Sequence, residues 1–208
     1  MKANPVIVVS VCALTSIASA DRINMGIYEN ASGTSTLGLD LWVDVSATSA
    51  STVEFTFHND STLASVITAV YFENTPLSAA LSSALISTEV GQVAFNNGSS
   101  PASPAAIGAT FGGAWSGNLY TAGADSPGPQ NGVNHSVNEL LGVSFNVTGM
   151  SAQDFVNTLV ADPLAMRMAQ HVQGVGLNAN SIWTVTVPTP GSLALLGLGA
   201  LVAIRRRR

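Results

Sequence analysis

The chain has 208 residues, and only 9% of them are Asp, Glu, Lys or Arg, against about 25% in an ordinary soluble domain. So low a charged fraction excludes a charged coiled coil and a charged disordered tail. The net charge of −5 and the seven basic residues exclude electrostatic capture of nucleic acid, which needs clustered Lys and Arg. A hydrophobic fraction of 47% can fill a core, and the length suits one domain with short terminal segments.

The charges divide the chain into three parts. Five of the seven basic residues lie near the two ends: Lys2, Arg205, Arg206, Arg207 and Arg208. All 12 acidic residues fall between Asp21 and Asp162. The central part, 21–186, therefore holds 12 acidic and two basic residues, a formal charge of −10. We predict that this part is the folded domain.

Residues 1–20 have the three parts of a secretory signal peptide. Lys2 supplies the positive charge, 6–17 form an apolar stretch, and Ala18-Ser19-Ala20 has the small-x-small form that signal peptidase cleaves. Twelve helical residues reach about 18 Å, too short for a bilayer core of about 30 Å. We therefore predict secretion, with cleavage before Asp21. Cys12 is the only cysteine, so the mature protein would have no disulfide.

Residues 187–208 join a proline-containing breaker to an apolar stretch and a basic end. The apolar stretch 191–204 would span about 21 Å as a helix, which is short for a permanent anchor. The arginines behind it would stay in the cytoplasm by the positive-inside bias. This order predicts a short hydrophobic helix that is held briefly in the membrane and then removed.

The same order of parts resembles the PEP-CTERM sorting signal of bacterial exosortase substrates. The residues that carry the resemblance are Pro188, Thr189, Pro190 and Gly191, the Leu/Gly-rich stretch, and the membrane stop Arg205, Arg206, Arg207 and Arg208. Thr189 stands where the name-giving motif has Glu. The resemblance implies processing by signal peptidase and an exosortase, and transient contact with the membrane. It also implies delivery to the cell surface or the extracellular matrix of a biofilm.

The central part has the alternation of β-strands. From Leu37 to Val45 apolar residues alternate with polar ones, which places Asp40 and Asp44 on one face. Four further segments are rich in strand-forming residues: 53–57, 64–72, 140–147 and 182–187. Five or more short strands between Gly, Ser, Asn and Pro clusters predict an all-β fold, an antiparallel β-sandwich of the jelly-roll or Ig-like kind.

Two segments depart from this pattern. Ser151 and Asp154 have the form of a capping box, and apolar residues follow at helical spacing until Pro163, so a short helix is predicted near 151–161. Residues 96–129 are rich in Gly, Ser, Ala and Pro and predict a long loop with at most one strand, near 109–115.

The central part also resembles, less specifically, a recurrent ectodomain of exosortase-dependent surface proteins. The matching segments are 68–74, 131–140 and 166–175. The resemblance implies a β-rich domain over about 21–187 and brings no catalytic residues with it.

Signals for catalysis and metal binding are weak. The histidines His58, His135 and His171 are too far apart in sequence for a zinc motif. Asp40 and Asp44 would lie about 13 Å apart along a strand, beyond the separation of glycosidase carboxylates. We predict no enzymatic activity and no cofactor. Ca²⁺ stays open, because many carboxylates with few basic partners suit a hard cation.

Three aromatic residues lie in or beside the Gly-rich segment: Phe111, Trp115 and Tyr120. They can either plug the end of the sandwich or form a sugar-stacking platform, with Trp115 and Tyr120 as glycan contacts. We therefore expect a non-enzymatic structural or adhesive protein of the cell surface. The alternative is a carbohydrate-binding module of the exopolysaccharide matrix, and a secreted hydrolase is less favoured.

Overall fold

The computed structural model describes residues 20–29, 33–104, 111–135, 138–177 and 179–187. They contain two short α-helices, α1 Gly128–Asn131 and α2 Ala152–Ala161, and a 3-10 turn at Ser78–Ala80. The eleven strands are β1 Asp21–Glu29, β2 Leu41–Ser49, β3 Thr52–Asn59, β4 Val66–Glu73, β5 Leu81–Val90, β6 Phe95–Asn97, β7 Asn118–Ala124, β8 Val133–Asn134, β9 Leu140–Val147, β10 Met168–Val175 and β11 Asn180–Thr186.

Hydrogen bonding joins the strands in one path, β5-β9-β3-β2-β1-β11-β10-β4-β7-β6, with β8 paired to β4. Every ladder between these strands is antiparallel. The start of β1 pairs with β2, and from Met25 onward β1 pairs with β11. A strand that changes partners in this way turns the sheet around a core. The predicted all-β antiparallel sandwich is confirmed, in a form close to a barrel.

We call β5, β9, β3, β2 and the start of β1 the first layer, and the end of β1 with β11, β10, β4, β7, β6 and β8 the second layer. Aromatic rings join the two layers in the core. Phe72 of the second layer lies 5.1 Å from Phe55, 5.8 Å from Phe57 and 5.0 Å from Phe145, measured between ring centroids. These four side chains are almost completely buried. Edge-on contacts of this kind add to the stabilisation from burial.

The predicted helix near 151–161 is confirmed as α2. Ser151 Oγ accepts a hydrogen bond from the Asp154 amide at 3.1 Å, which satisfies one of the free N–H groups of the first turn. The Asp154 carboxylate accepts from Ser151 Oγ at 2.7 Å instead of completing a capping box with the backbone. Phe155, Val156 and Leu159 recur at helical spacing and are buried in the core.

The predicted strands agree with the structure where one face is buried. The segment 140–147 is β9, 53–57 lies inside β3, and 64–72 and 182–187 largely coincide with β4 and β11. β2 begins at Leu41 instead of Leu37, because Leu37 and Gly38 form a turn. Leu37 is 88% exposed there.

The prediction for 96–129 was partly wrong. Residues 111–115 form no strand, and the region instead contains β7, Asn118–Ala124, the end of β6 and the start of α1. The strands β1, β5, β6, β8 and β10 were not predicted. Most residues of β10 are buried, so that strand shows no polar and apolar alternation.

Two predicted segments lie largely outside the described residues. They are the signal peptide through residue 19, which includes Ala18, and the hydrophobic helix with its arginines after Val187. In the part of the chain that the structure describes, no helix has the length and apolar character needed to cross a bilayer.

Candidate functional site

A buried ion pair lies in the second layer, where β4 ends and β10 begins. Arg167 is 4% exposed and Glu73 is 2% exposed. Arg167 Nε donates to Glu73 Oε2 at 2.6 Å, and Arg167 Nη2 donates to Glu73 Oε1. Burial alone would raise the pKa of the Glu73 carboxyl. The hydrogen bonds and charge of Arg167, together with bonds from Ser116, instead hold that pKa below its ordinary value.

The same pair pins the loop 111–116 to the sheet. Ser116 donates to Glu73 Oε1 through its amide at 2.9 Å and its hydroxyl at 3.0 Å. The Arg167 guanidinium donates, at 2.8 Å each, to the carbonyl oxygens of Phe111, Gly113 and Ala114. The guanidinium nitrogens and the carboxylate oxygens of the ion pair thus all have hydrogen-bond partners. These bonds hold the loop in one position over the outer face of the second layer.

The pinned loop completes an aromatic patch, which we define as Tyr28, Phe111 and Trp115 over Tyr71 and Trp183. The Tyr28 ring lies 6.2 Å from Phe111 and 6.4 Å from Trp183, and Tyr71 lies 5.2 Å from Trp183. The first three are half-buried and the last two are buried. Such a partly exposed aromatic surface can stack against the apolar face of a ligand.

Two of the three predicted platform residues meet in this patch. Phe111 and Trp115 both pack against it, and Arg167 Cζ lies 5.5 Å from the centre of the Trp115 ring. Tyr120 lies apart, because its ring contacts Phe72 at 6.1 Å and Phe145 at 5.8 Å on the core side of β7. The structure therefore does not bring Trp115 and Tyr120 onto one surface.

A second cluster, the Trp42 stack, lies on the outer face of the first layer. The His58 ring is parallel to that of Trp42 at 3.7 Å, and Arg22 Cζ lies 4.6 Å from the Trp42 ring centre. Because the imidazole covers one face of the indole, the guanidinium must lie over the other. Both faces of Trp42 are thus occupied, and the indole offers no free stacking surface.

Each member of the Trp42 stack has its own carboxylate. Asp40 forms an ion pair with Arg22, Asp60 Oδ2 accepts from Trp42 Nε1 at 3.1 Å, and Asp44 Oδ2 lies 3.6 Å from His58 Nε2. The sequence patterns did not predict this cluster. Its signal was Trp42 itself, a large aromatic between Leu41 and Val43 on the polar face of an alternating strand.

Because two histidines are partly or fully buried, we predict that the free energy of unfolding decreases in mild acid. Burial lowers the pKa of both His58 and His171 below the ordinary value, and for His58 the nearby carboxylates only partly oppose it. The unfolded chain therefore binds protons before the folded one, so stability falls as the pH drops from about 7 to about 5. The urea concentration at the unfolding midpoint should decrease over this pH range. In the variant carrying His58→Gln and His171→Gln, the slope of this midpoint against pH should be smaller. An unchanged slope in that variant would contradict the assignment.

No metal site stands out in the described residues. His58, His135 and His171 lie in separate places, and no three His, Cys, Asp or Glu side chains in this part of the chain form a group that could hold a metal ion. Many carboxylates instead bind donors of the chain itself. Glu54 accepts from Ser87 and Thr88, and Glu89 accepts from the amide of Phe95.

Comparison with protein-family models, curated proteins and solved structures finds no match.

Proposed function

We propose that the chain is a secreted, non-enzymatic surface protein, with a structural or adhesive domain at 21–186 and an exosortase-type sorting tail at 187–208. The observation that carries this proposal is the order of parts in the tail. Pro188, Thr189 and Pro190 precede an uncharged Leu/Gly-rich stretch and four arginines. Such a tail suits brief retention by the membrane followed by removal.

The positions of the outermost strands support this division. β1 begins at Asp21 and β11 ends at Thr186, so a cut before Asp21 or after Val187 removes none of the described strands. β1 and β11 are antiparallel neighbours, and the Val187 amide donates to the Asn24 carbonyl at 3.1 Å. Both predicted cleavage points therefore lie at the same end of the domain, where β1 starts and β11 ends. A precursor held in the membrane by both terminal segments would be attached through that end of the domain.

Mass spectrometry of the protein recovered from the cell surface tests the sorting proposal. We expect a mature chain that begins at Asp21 and lacks Arg205–Arg208. Replacing the four arginines by serine should leave signal cleavage intact but reduce retention and tail processing, because the membrane stop is lost. Surface protein that still contains the terminal arginines would overturn the proposal.

Carbohydrate binding is the second candidate, and the aromatic patch favours it. Trp115→Ala should weaken binding to a matrix glycan by about tenfold or more, since one lost stacking contact is worth on the order of 1 kcal/mol or more. Trp42→Ala is the matched control, because Trp42 is enclosed on the opposite layer. A glycan array on which the wild-type protein binds nothing would exclude this candidate, and equal losses in both variants would exclude the patch.

A further inference from the structure

A polar hollow lies on the outer face of the second layer, beside the aromatic patch. We infer that this hollow binds one uncharged sugar residue of a glycan whose neighbouring residues contact the patch. The inference rests on carbohydrate binding, the second candidate function above. The hollow has a volume of about 260 Å³, and its walls include Thr68, Ser100, Gly123, Ala124, Ser126 and Gln173. A space of this size, with a few converging polar groups, suits a single small ligand.

Small residues keep the hollow open. Gly128 also lines it, and a Cβ built on Gly128 would meet nothing closer than Thr68 Cγ2 at 3.9 Å. The part of the chain that the structure describes therefore leaves the space beside Gly128 free. The φ of Gly128 lies outside the positive range, so φ alone does not require glycine there. A larger side chain at this position would project into the free space.

His171 connects the hollow to the aromatic patch. Thr68 Oγ1 donates to the His171 carbonyl at 3.2 Å and lies 3.4 Å from His171 Nδ1. Gln173 Nε2 lies 3.5 Å from the same nitrogen. On its other side, the His171 ring lies 4.8 Å from that of Trp183. The hollow and the patch thus share one surface, with hydrogen-bonding groups next to aromatic rings.

The chemistry of the walls selects an uncharged, hydroxyl-rich ligand. Hydroxyl and carboxamide groups both donate and accept hydrogen bonds, as sugar hydroxyls do. The residues that line the hollow include no charged side chain. Both arginines of the described domain already have carboxylate partners, Arg22 with Asp40 and Arg167 with Glu73. The strongly negative domain therefore offers an anionic sugar no counter-charge and repels it.

Saturation-transfer NMR on the purified protein tests the inference, with D-glucose, D-galactose and D-mannose as neutral probes and D-glucuronate as the anionic probe. We expect at least one neutral hexose to bind and D-glucuronate to bind at least about tenfold more weakly. Gln173→Leu removes the carboxamide at similar volume, and Gly128→Leu fills the hollow. Each should weaken hexose binding by about tenfold or more.

Gln153→Leu on the exposed face of α2 is the matched control and should bind as the wild-type protein does. Binding of D-glucuronate in preference to the hexoses would overturn the inference, as would hexose binding that survives in both hollow variants. If no hexose binds, the inference fails. A matrix glycan that binds normally to the hollow variants but not to Trp115→Ala would retain carbohydrate binding and overturn the hollow alone. Tail processing is measured separately and does not depend on either result.

Discussion

Glu73→Ala should lower the free energy of unfolding by about 3–5 kcal/mol, because it leaves the Arg167 guanidinium buried without its counter-charge. Arg167 is 4% exposed and keeps only carbonyl partners in that variant. Chemical denaturation at neutral pH, followed by Trp fluorescence, measures the loss. Arg167→Met should cost a similar amount, since it leaves the Glu73 carboxylate buried.

The double variant Glu73→Leu with Arg167→Met separates the ion pair from the burial of its atoms. Replacing both charges by apolar side chains removes the desolvation penalty, so it should be less destabilised than either single variant. Asp40→Ala is the surface control. It breaks the ion pair with Arg22, in which the Arg22 and Asp40 side chains are 45% and 49% exposed. It should lower the free energy of unfolding by less than about 1 kcal/mol. Equal losses for Glu73→Ala and Asp40→Ala would contradict the role given to the buried pair.

The ion pair also links stability to the aromatic patch. Arg167 and Glu73 hold the loop 111–116, which places Phe111 and Trp115 over the sheet. The double variant would keep the core but release this loop, because neither Leu nor Met can bind its carbonyl and amide groups. If the patch binds glycans, the double variant should therefore lose glycan binding. Its unfolding midpoint should nevertheless lie closer to that of the wild-type protein than the midpoints of the single variants do.

Acid should also weaken the ion pair between Glu73 and Arg167. The pKa of Glu73 is lowered in the folded state, so the pair contributes stability above the pKa of the unfolded carboxyl. That contribution is lost as the pH falls through the lower, folded pKa. The ordinary pKa of a carboxyl is lower than that of an imidazole, so the loss from Glu73 should begin at a lower pH than the loss from His58 and His171.

The sequence predicted elements whose local pattern matched their burial. β9 alternates between buried and more exposed residues over part of its length, and the Ser151 cap marks the start of α2. β10 was missed because tertiary contacts bury both of its faces, which leaves no period of two to detect. β5 was missed because its apolar residues do not alternate regularly with polar ones, and two of them, Leu85 and Val90, are exposed.

The candidate site was only partly accessible from the sequence. Glu73 and Arg167 are 94 residues apart, and no local pattern pairs them. One signal was present, because Arg167 stands between Met166 and Met168 as one of two basic residues in a strongly acidic domain. A lone cation between apolar residues indicates a buried partner. The separation of Trp115 from Tyr120 depends on which face of β7 turns inward, and the Gly-rich sequence around it does not determine that face.

Phe72→Ala should destabilise the domain by about 3–5 kcal/mol, the usual cost of removing a buried aromatic ring from a core. Phe72 comes from the second layer and its ring contacts Phe55, Phe57 and Phe145 of the first. Its loss leaves a cavity between the layers. The only cysteine of the chain is Cys12, so no disulfide can hold the layers together once that cavity forms.

A loss of this size is a large part of the roughly 5–15 kcal/mol that stabilises a typical domain. Denaturant unfolding of Phe72→Ala measures it directly. Leu37→Ala is the control, because this side chain is exposed and should change stability by less than about 0.5 kcal/mol. A Phe72→Ala variant as stable as Leu37→Ala would mean that the two layers do not depend on their shared aromatic core. In that case the stability of a domain without disulfides would have to come from its hydrogen-bonded loops, and Glu73→Ala would then be the more damaging of the two changes.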